Sequence, residues 1–208
     1  MAPLELIVPS LSRLPAYAAA LERGWSPDNM RGEVAAREEL AKIKDDAASF
    51  VEQQVDREAK GPPVKLPDGS TAARLPGFRL WMWDGVFCGV IGLRWQPGTS
   101  ALPPHVLGHI GYAVVPWKRR LGYATAALGL VLPHARAEGL RYVEITTDAD
   151  NPASQKVILV NGGVLVGPYK RPVQYGESDA LRYRIDLAGT GPTPDGRGAR
   201  PSNSAGGR

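Results

Sequence analysis

The segment that most constrains the fold is residues 108–125, GHIGYAVVPWKRRLGYAT. Its first half predicts an apolar strand that ends at Pro116, and its second half predicts a tight turn followed by a helix. Within it, Arg119–Ala124 fits the spacing Arg/Gln-x-x-Gly-x-Gly/Ala. Gly122 lets the backbone approach a ligand closely, and the small Ala124 leaves the first helical turn open. Because the N–H groups of such a turn and the helix dipole both favour an anion, the segment predicts a phosphate site for a nucleotide-like cofactor.

Two other nucleotide-binding patterns do not fit this sequence. The phosphate loop of nucleotide triphosphatases requires Gly-x-x-x-x-Gly-Lys-Ser/Thr, which does not occur. A dinucleotide fold requires Gly-x-Gly-x-x-Gly after an early strand, whereas this turn has one glycine and follows a strand in the middle of the chain. A second pattern elsewhere in the chain is therefore needed to identify the cofactor that this turn binds.

Periodicity and turn signals predict one domain of mixed α and β structure over residues 1–188. Asp84-Gly85 predicts a hairpin, and Pro133 predicts a kink or an early end in its helix. The Gly-, Pro-, Ser- and Arg-rich tail of residues 189–208 is expected to be disordered. The predicted strands are Leu4–Val8, Phe78–Trp83, Val86–Trp95, His109–Val115, Tyr142–Thr147, Val164–Val166 and Leu181–Leu187, and the predicted helices are Leu11–Arg23, Gly32–Lys60, Thr125–Glu138 and a last one from Asn151-Pro152 to Gly162-Gly163.

Composition argues against a nucleic-acid or membrane partner. The formal net charge is +4, and half of it falls on residues 189–208, so the field of the remaining chain is weak. No apolar stretch is long enough to span a bilayer, and the N-terminus lacks a secretory pattern, so we expect a cytoplasmic protein. The single cysteine, Cys88, lies in an apolar strand and is expected to be a buried, inert thiol.

Two blocks in this order resemble the Gcn5-related N-acetyltransferase (GNAT) superfamily. Arg119–Ala124 resembles its acetyl-coenzyme A signature and follows a strand that ends in Val-Val-Pro. Downstream, Tyr142–Thr147 is followed by Asn151-Pro-Ala-Ser154 and by Gly162-Gly163, similar to a family strand whose next helix opens with Asn-x-x-Ala/Ser. The resemblance covers roughly residues 78–187. It implies an α/β (α+β) domain with a mixed, mostly antiparallel central sheet flanked by helices.

The resemblance also implies a set of cofactor-binding residues. The backbone amides of Leu121–Thr125 would bind the diphosphate of acetyl-CoA, and Arg119 would neutralise phosphate charge or brace the loop. The backbone near Val114 and Val115 would pair with the pantetheine arm like an added strand, and Asn151 would hydrogen-bond near its end. The full implied set is Val114, Val115, Arg119, Arg120, Leu121, Gly122, Tyr123, Ala124, Thr125, Asn151 and Ser154. No metal is implied.

Two positions depart from the family pattern. Arg120 stands where many members have glycine, so this turn must form without glycine's freedom. Ile158 stands where many members have a tyrosine that protonates the leaving thiolate. Ser154, which some branches share, is the alternative acid or thiolate donor, and those branches include enzymes that acetylate protein N-termini. The competing interpretation of Ser154 is an ordinary first-turn helix residue.

The implied reaction is direct attack of a primary amine on the thioester, so the amine needs a proton acceptor. His109 and Glu144 are the candidate bases, each weighed against a purely structural role. The acceptor is a small-molecule amine or a protein or peptide amine, which the sequence does not distinguish, and a homodimer is compatible with it. Two alternatives stay open: transfer of another short acyl group, and a non-catalytic CoA-binding sensor or partner module.

Overall fold

The computed structural model describes residues 3–187, so the predicted disordered tail lies outside the described residues. Two short 3₁₀ turns, Pro116–Lys118 and Val173–Tyr175, accompany the regular elements. The elements in chain order are β1 (Glu5–Ile7), α1 (Leu14–Glu22), α2 (Gly32–Asp45), α3 (Ala47–Glu52), β2 (Val55–Asp56), β3 (Val64–Lys65), β4 (Thr71–Ala72), β5 (Gly77–Trp83), β6 (Phe87–Arg94), β7 (Ile110–Val114), α4 (Tyr123–Ala137), β8 (Tyr142–Asp148), α5 (Pro152–Val160), β9 (Val164–Lys170) and β10 (Asp179–Asp186).

The strands form two main antiparallel sheets that meet at one point. The first has the order β1-β5-β6-β7, with β2 also paired to β5, and the second has the order β8-β10-β9. Next to β7, the His109 N–H donates to the Glu144 carbonyl at 2.8 Å and joins the sheets. Gly108 permits this approach, because a Cβ there would lie 2.9 Å from that carbonyl oxygen. Beyond this junction β7 and β8 are not paired, which leaves a gap between the sheets.

Helices cover both faces of the sheets, and each face has its own apolar cluster. On one side, α4 and α5 pack through residues such as Leu128 and Ile158, which have no exposed surface. On the other side, α1, α2 and α3 pack around Trp81. There the Tyr17 ring stacks on Trp81 with 5.0 Å between ring centroids. The gap between β7 and β8 therefore lies between two well-packed layers, one formed with α4 and α5 and the other with α1, α2 and α3.

The local signals predicted most elements correctly. The hairpin at Asp84-Gly85 is confirmed as β5 and β6, and Asn151 caps α5 as its pattern predicts. The prediction of one helical region over Gly32–Lys60 is wrong, because Asp46 has extended backbone and its side chain accepts from the Ser49 N–H. That side-chain bond offers the backbone an alternative to continuing α2, and a new short helix, α3, begins.

The helix α4 continues past Pro133 to Ala137, so the predicted early end is wrong, and the kink stays a prediction. Val131 and Ala135, on either side of the proline, are fully buried against the sheet. Their packing outweighs the one backbone hydrogen bond that the proline removes.

Two expectations from composition can be compared with the described residues. Cys88 is buried as predicted, and its pKa is raised to about 12 by burial, which keeps the thiol protonated. Within residues 3–187, none of the helices combines the length and the apolar character that a bilayer crossing requires.

Candidate functional site

The exposed edge of β7 faces the gap between the two sheets. The Val115 N–H donates to the Cys88 carbonyl of β6 at 3.0 Å, and the Val115 carbonyl accepts from Lys118 N–H at 2.9 Å. Hydrogen bonding alternates along an antiparallel strand, so the backbone groups of Tyr112 and Val114 point away from β6 and toward the gap. The edge that was expected to pair with an added strand is thus available at Val114 and not at Val115, whose N–H and carbonyl are both occupied.

Side chains already occupy the two carbonyls on this edge. Asn29 Nδ2 donates to the Tyr112 carbonyl at 3.1 Å. Arg119 Nε donates to the Val114 carbonyl at 3.3 Å. This hydrogen bond fits the bracing role expected for Arg119, and its phosphate role stays a prediction.

The glycine turn ends in a helix N-terminus that no side chain caps. Arg120 and Gly122 have φ of 62° and 81°, so both lie in the left-handed region. Arg120 reaches this conformation without being glycine, at a cost of roughly 1–2 kcal/mol. Gly122 is the N-cap of α4 and has no side chain to accept from the first amides, and the first turn of α4 carries no acidic residue. The backbone N–H groups and the dipole of α4 therefore favour an external anion here.

Asp84, at the tip of the β5–β6 hairpin, anchors both ends of this loop. Its carboxylate accepts from Lys118 Nζ at 2.8 Å and from the Tyr123 hydroxyl. Burial would raise the pKa of Asp84, but these two hydrogen bonds outweigh it and hold the pKa well below its usual range. The charged carboxylate thus fixes the residues that flank the turn.

Across the gap, α5 presents a pair of hydroxyl groups. Asn151 Oδ1 accepts from the Ser154 N–H at 3.0 Å, which caps α5 and orients Ser154. The Ser154 Oγ lies 2.8 Å from the hydroxyl of Tyr112 on β7. Burial raises the pKa of Tyr112, whereas its hydrogen bond with Ser154 lowers it, and the net shift is upward. A tyrosine hydroxyl from β7 thus lies next to Ser154, whereas the α5 position at which many family members have a tyrosine carries the fully buried Ile158.

One cleft of about 2080 Å³ connects the loop, the gap and the face covered by α2. Most of the predicted site residues line it, but Val115, Leu121, His109 and Glu144 do not. Tyr112 also lines it and was not singled out from the sequence, which contains no signal that pairs two residues 42 positions apart. The predicted residues that line the cleft are Val114, Arg119, Arg120, Gly122, Tyr123, Ala124, Thr125, Asn151 and Ser154.

The two candidate bases lie at the sheet junction, and both have protein partners. His109 has no exposed surface, and its Nδ1 accepts from the Glu144 N–H at 2.9 Å. Burial lowers the pKa of His109 from 6.5 to about 4. Glu144 Oε1 accepts from Arg184 at 2.7 Å, and its Oε2 lies 3.8 Å from Arg182. This geometry favours a structural role for both residues.

The burial of His109 gives a specific pH dependence of stability. Unfolded His109 takes up a proton near pH 6.5 and folded His109 only near pH 4, so the unfolded state binds more protons between these values. The contribution of neutral His109 is complete above pH 6.5 and is lost as the pH falls to about 4. We expect this loss to lower the free energy of unfolding by roughly 2 kcal/mol between pH 7.5 and pH 5.

Urea unfolding at both pH values tests this, with His109→Gln as the comparison. Glutamine keeps an acceptor for the Glu144 N–H and does not titrate. The wild type should lose roughly 2 kcal/mol more than the variant over this interval. An equal loss in both proteins would contradict the assignment of a buried, neutral His109.

Residues 37–164 match a family model described as an acetyltransferase (GNAT) domain. This match spans more than half of the chain and includes β7, the glycine turn, α4, β8 and α5. Among curated protein sequences, none matches the chain.

Several solved structures share the fold at low sequence identity. The ribosomal L7/L12 alpha-N-protein acetyltransferase RimL, in complex with coenzyme A, has a TM-score of 0.59 at 16% identity, covering 90% of this chain and 96% of that one. The microcin C7 self-immunity acetyltransferase MccE, in complex with acetyl-CoA and AMP, has a TM-score of 0.57 at 17% identity, covering 88% and 92%. The acetyltransferase of Salmonella typhimurium that modifies the N-terminal serine of L7/L12 has a TM-score of 0.55 at 17% identity, covering 89% and 96%.

Proposed function

This chain belongs to the GNAT acetyltransferase family and is an acyltransferase, and we propose that it transfers the acetyl group of acetyl-CoA to a primary amine. The observation that carries the proposal is the uncapped N-terminus of α4 at Gly122, placed at one end of the open edge of β7. An anion site at one end and the backbone N–H groups of Tyr112 and Val114 beside it fit a diphosphate joined to an extended chain that carries amide groups. RimL and MccE, which share the fold, are complexes with coenzyme A and acetyl-CoA respectively.

Each part of the site would hold one part of acetyl-CoA. The amides of residues 121–125 and the dipole of α4 would bind the diphosphate. The backbone of Val114 would pair with the pantetheine arm in the gap, as a strand pairs with a sheet edge. Asn151 uses its Oδ1 to cap α5, which leaves its Nδ2 as the group that would donate to this arm.

Catalysis would come from positioning and from polar groups at the gap. A neutral amine attacks the thioester carbonyl, a backbone N–H of β7 polarises that carbonyl, and the carbon–sulfur bond breaks. Ser154 Oγ would give a proton to the departing sulfur and take one from the Tyr112 hydroxyl, 2.8 Å away. The amine would lose its own proton to water in the cleft, because His109 and Glu144 do not line it, and water would return a proton to Tyr112, which does line the cleft.

The proposal is tested by release of free thiol from acetyl-CoA in the presence of a panel of primary amines. We expect amine-dependent release of CoA and an acetylated amine detectable by mass spectrometry. Faster release of CoA from another short acyl-CoA would show that this other acyl group is transferred in place of acetyl. Folded protein that binds CoA but releases no thiol with any amine would show a binding module without turnover and would contradict the proposed function.

A further inference from the structure

The floor of the cleft, on the sheet face covered by α2, is unusually open. Gly92 of β6 pairs with Gly111 of β7, and Arg79 of β5 pairs with Gly92, so these three positions form one row across the sheet. The two glycines place no side chain above the sheet at this row. Both line the cleft described above, next to the strand edge that faces the gap.

The Arg94 guanidinium lies over this glycine floor. Its Nη2 is 3.4 Å from the position that a Cβ at Gly111 would occupy. Within residues 3–187, the Arg94 side chain makes no hydrogen bond and no ion pair. Arg94 is exposed and lines the cleft. Arg94 thus brings a positive charge into the cleft without a bound counter-charge.

The carboxylates on this side of the cleft are paired within the protein. Arg79 donates to Glu39 at 2.8 Å, and Arg171 lies 2.5 Å from Asp148. Glu38 accepts from Arg31 at 2.7 Å. Asp28 Oδ1 accepts two backbone N–H groups, from Met30 and Arg31. Because these carboxylates already have partners, the cleft favours an incoming anion over a second cation.

Further unpartnered nitrogen atoms lie on the same wall of the cleft. Arg171 is only 7% exposed, and its Nε has no hydrogen-bond partner. His105 Nε2 is also buried without a partner. Tyr175 donates its hydroxyl to the His105 carbonyl at 3.2 Å, and Tyr175, His105 and Arg171 line the cleft together with Arg94. Buried donors without partners carry a desolvation cost that a bound anion would remove.

We propose that Arg94 binds an anionic group of the acceptor, so that the acceptor is a primary amine that also carries a carboxylate or a phosphate. This inference rests on the proposed function, since it names the substrate class of the same site.

Acetyl transfer to paired acceptors tests the proposal. β-Alanine and phosphoethanolamine carry an anion, and propylamine and ethanolamine are the matched amines that lack the anionic group. In the wild type, kcat/KM should be about 10- to 100-fold higher for the anionic member of each pair. Arg94→Gln should remove this preference, Arg94→Lys should keep part of it, and the KM for acetyl-CoA should not change. Arg37→Gln is the matched control, because Arg37 lies outside the cleft and pairs with Glu33.

The result separates the two proposals. Whichever anionic acceptor is preferred shows whether the group is a carboxylate or a phosphate. Equal kcat/KM within each pair, or a preference that survives Arg94→Gln, would overturn the role of Arg94 while leaving acetyl transfer intact. If no amine is acetylated, the proposed function fails. Calorimetric binding of β-alanine and phosphoethanolamine to the wild type and to Arg94→Gln then tests the anion site by itself. Binding that Arg94→Gln abolishes supports the anion site, and no binding, or equal binding by the variant, overturns it.

Discussion

Replacing Gly122 by glutamate is expected to lower the affinity for CoA by at least about 100-fold while the protein stays folded. A Cβ at Gly122 would meet nothing within 4 Å, so the new side chain has room and the fold is not disrupted. Its carboxylate would stand at the N-terminus of α4, where the diphosphate is proposed to bind. Repulsion between like charges at about 4–5 Å near a protein surface amounts to roughly 3 kcal/mol, which corresponds to about 100-fold.

The chain offers a matched control for backbone strain. Gly139 follows the C-terminal end of α4, has φ of 80°, and also has nothing within 4 Å of a Cβ. Gly139→Glu therefore imposes the same left-handed strain and the same charge away from the loop, and it should bind CoA as the wild type does. Gly122→Ala, which adds strain without charge, should have an intermediate effect. Unchanged CoA affinity in folded Gly122→Glu would contradict the placement of the diphosphate.

Replacing Ser154 by alanine is expected to lower kcat by about 100-fold, the ordinary contribution of a general acid. The reason is that Ser154 Oγ is the hydroxyl proposed to protonate the departing sulfur. Tyr112→Phe should lower kcat by about 10-fold, because it removes the proton source 2.8 Å behind Ser154. Steady-state kinetics of acetyl transfer measure both effects, and the KM for acetyl-CoA should stay within about threefold, since both hydroxyls are proposed to act on the departing sulfur.

A double variant distinguishes a proton relay from two separate contacts. If Tyr112 acts only through Ser154, the double variant should be no slower than Ser154→Ala alone. Tyr169→Phe is the control, because Tyr169 lies on β9, outside the cleft, with Arg182 stacked over its ring at 4.0 Å. It should leave kcat unchanged. Multiplicative losses in the double variant, or a rise in KM with kcat unchanged, would contradict the relay.

Features set by neighbouring residues were predictable from the sequence. The β5–β6 hairpin follows from Asp84-Gly85, and the start of α5 follows from Asn151-Pro152. The glycine turn was also placed correctly, because Gly122 takes the left-handed conformation that its residue type favours. Arg120 shows the limit of such signals, since it adopts φ of 62° without being glycine.

Features that depend on distant contacts were not predictable. The Tyr112–Ser154 pair joins a strand to a helix, and the position of Arg94 over Gly111 requires the register of β6 with β7. The burial of His109 follows from the junction of the two sheets through Glu144. A histidine next to a strand has the same sequence pattern whether it is buried there or lines a cleft, so only the tertiary structure distinguishes the two cases.

The most direct test of the account is a calorimetric titration of the folded wild-type protein with acetyl-CoA. The account predicts saturable binding of one molecule per chain, which Gly122→Glu abolishes and Gly139→Glu does not. Absence of heat and of any bound acetyl-CoA, with the protein shown to be folded by its unfolding transition, would contradict the assignment of the β7 edge and the Gly122 turn as a coenzyme A site.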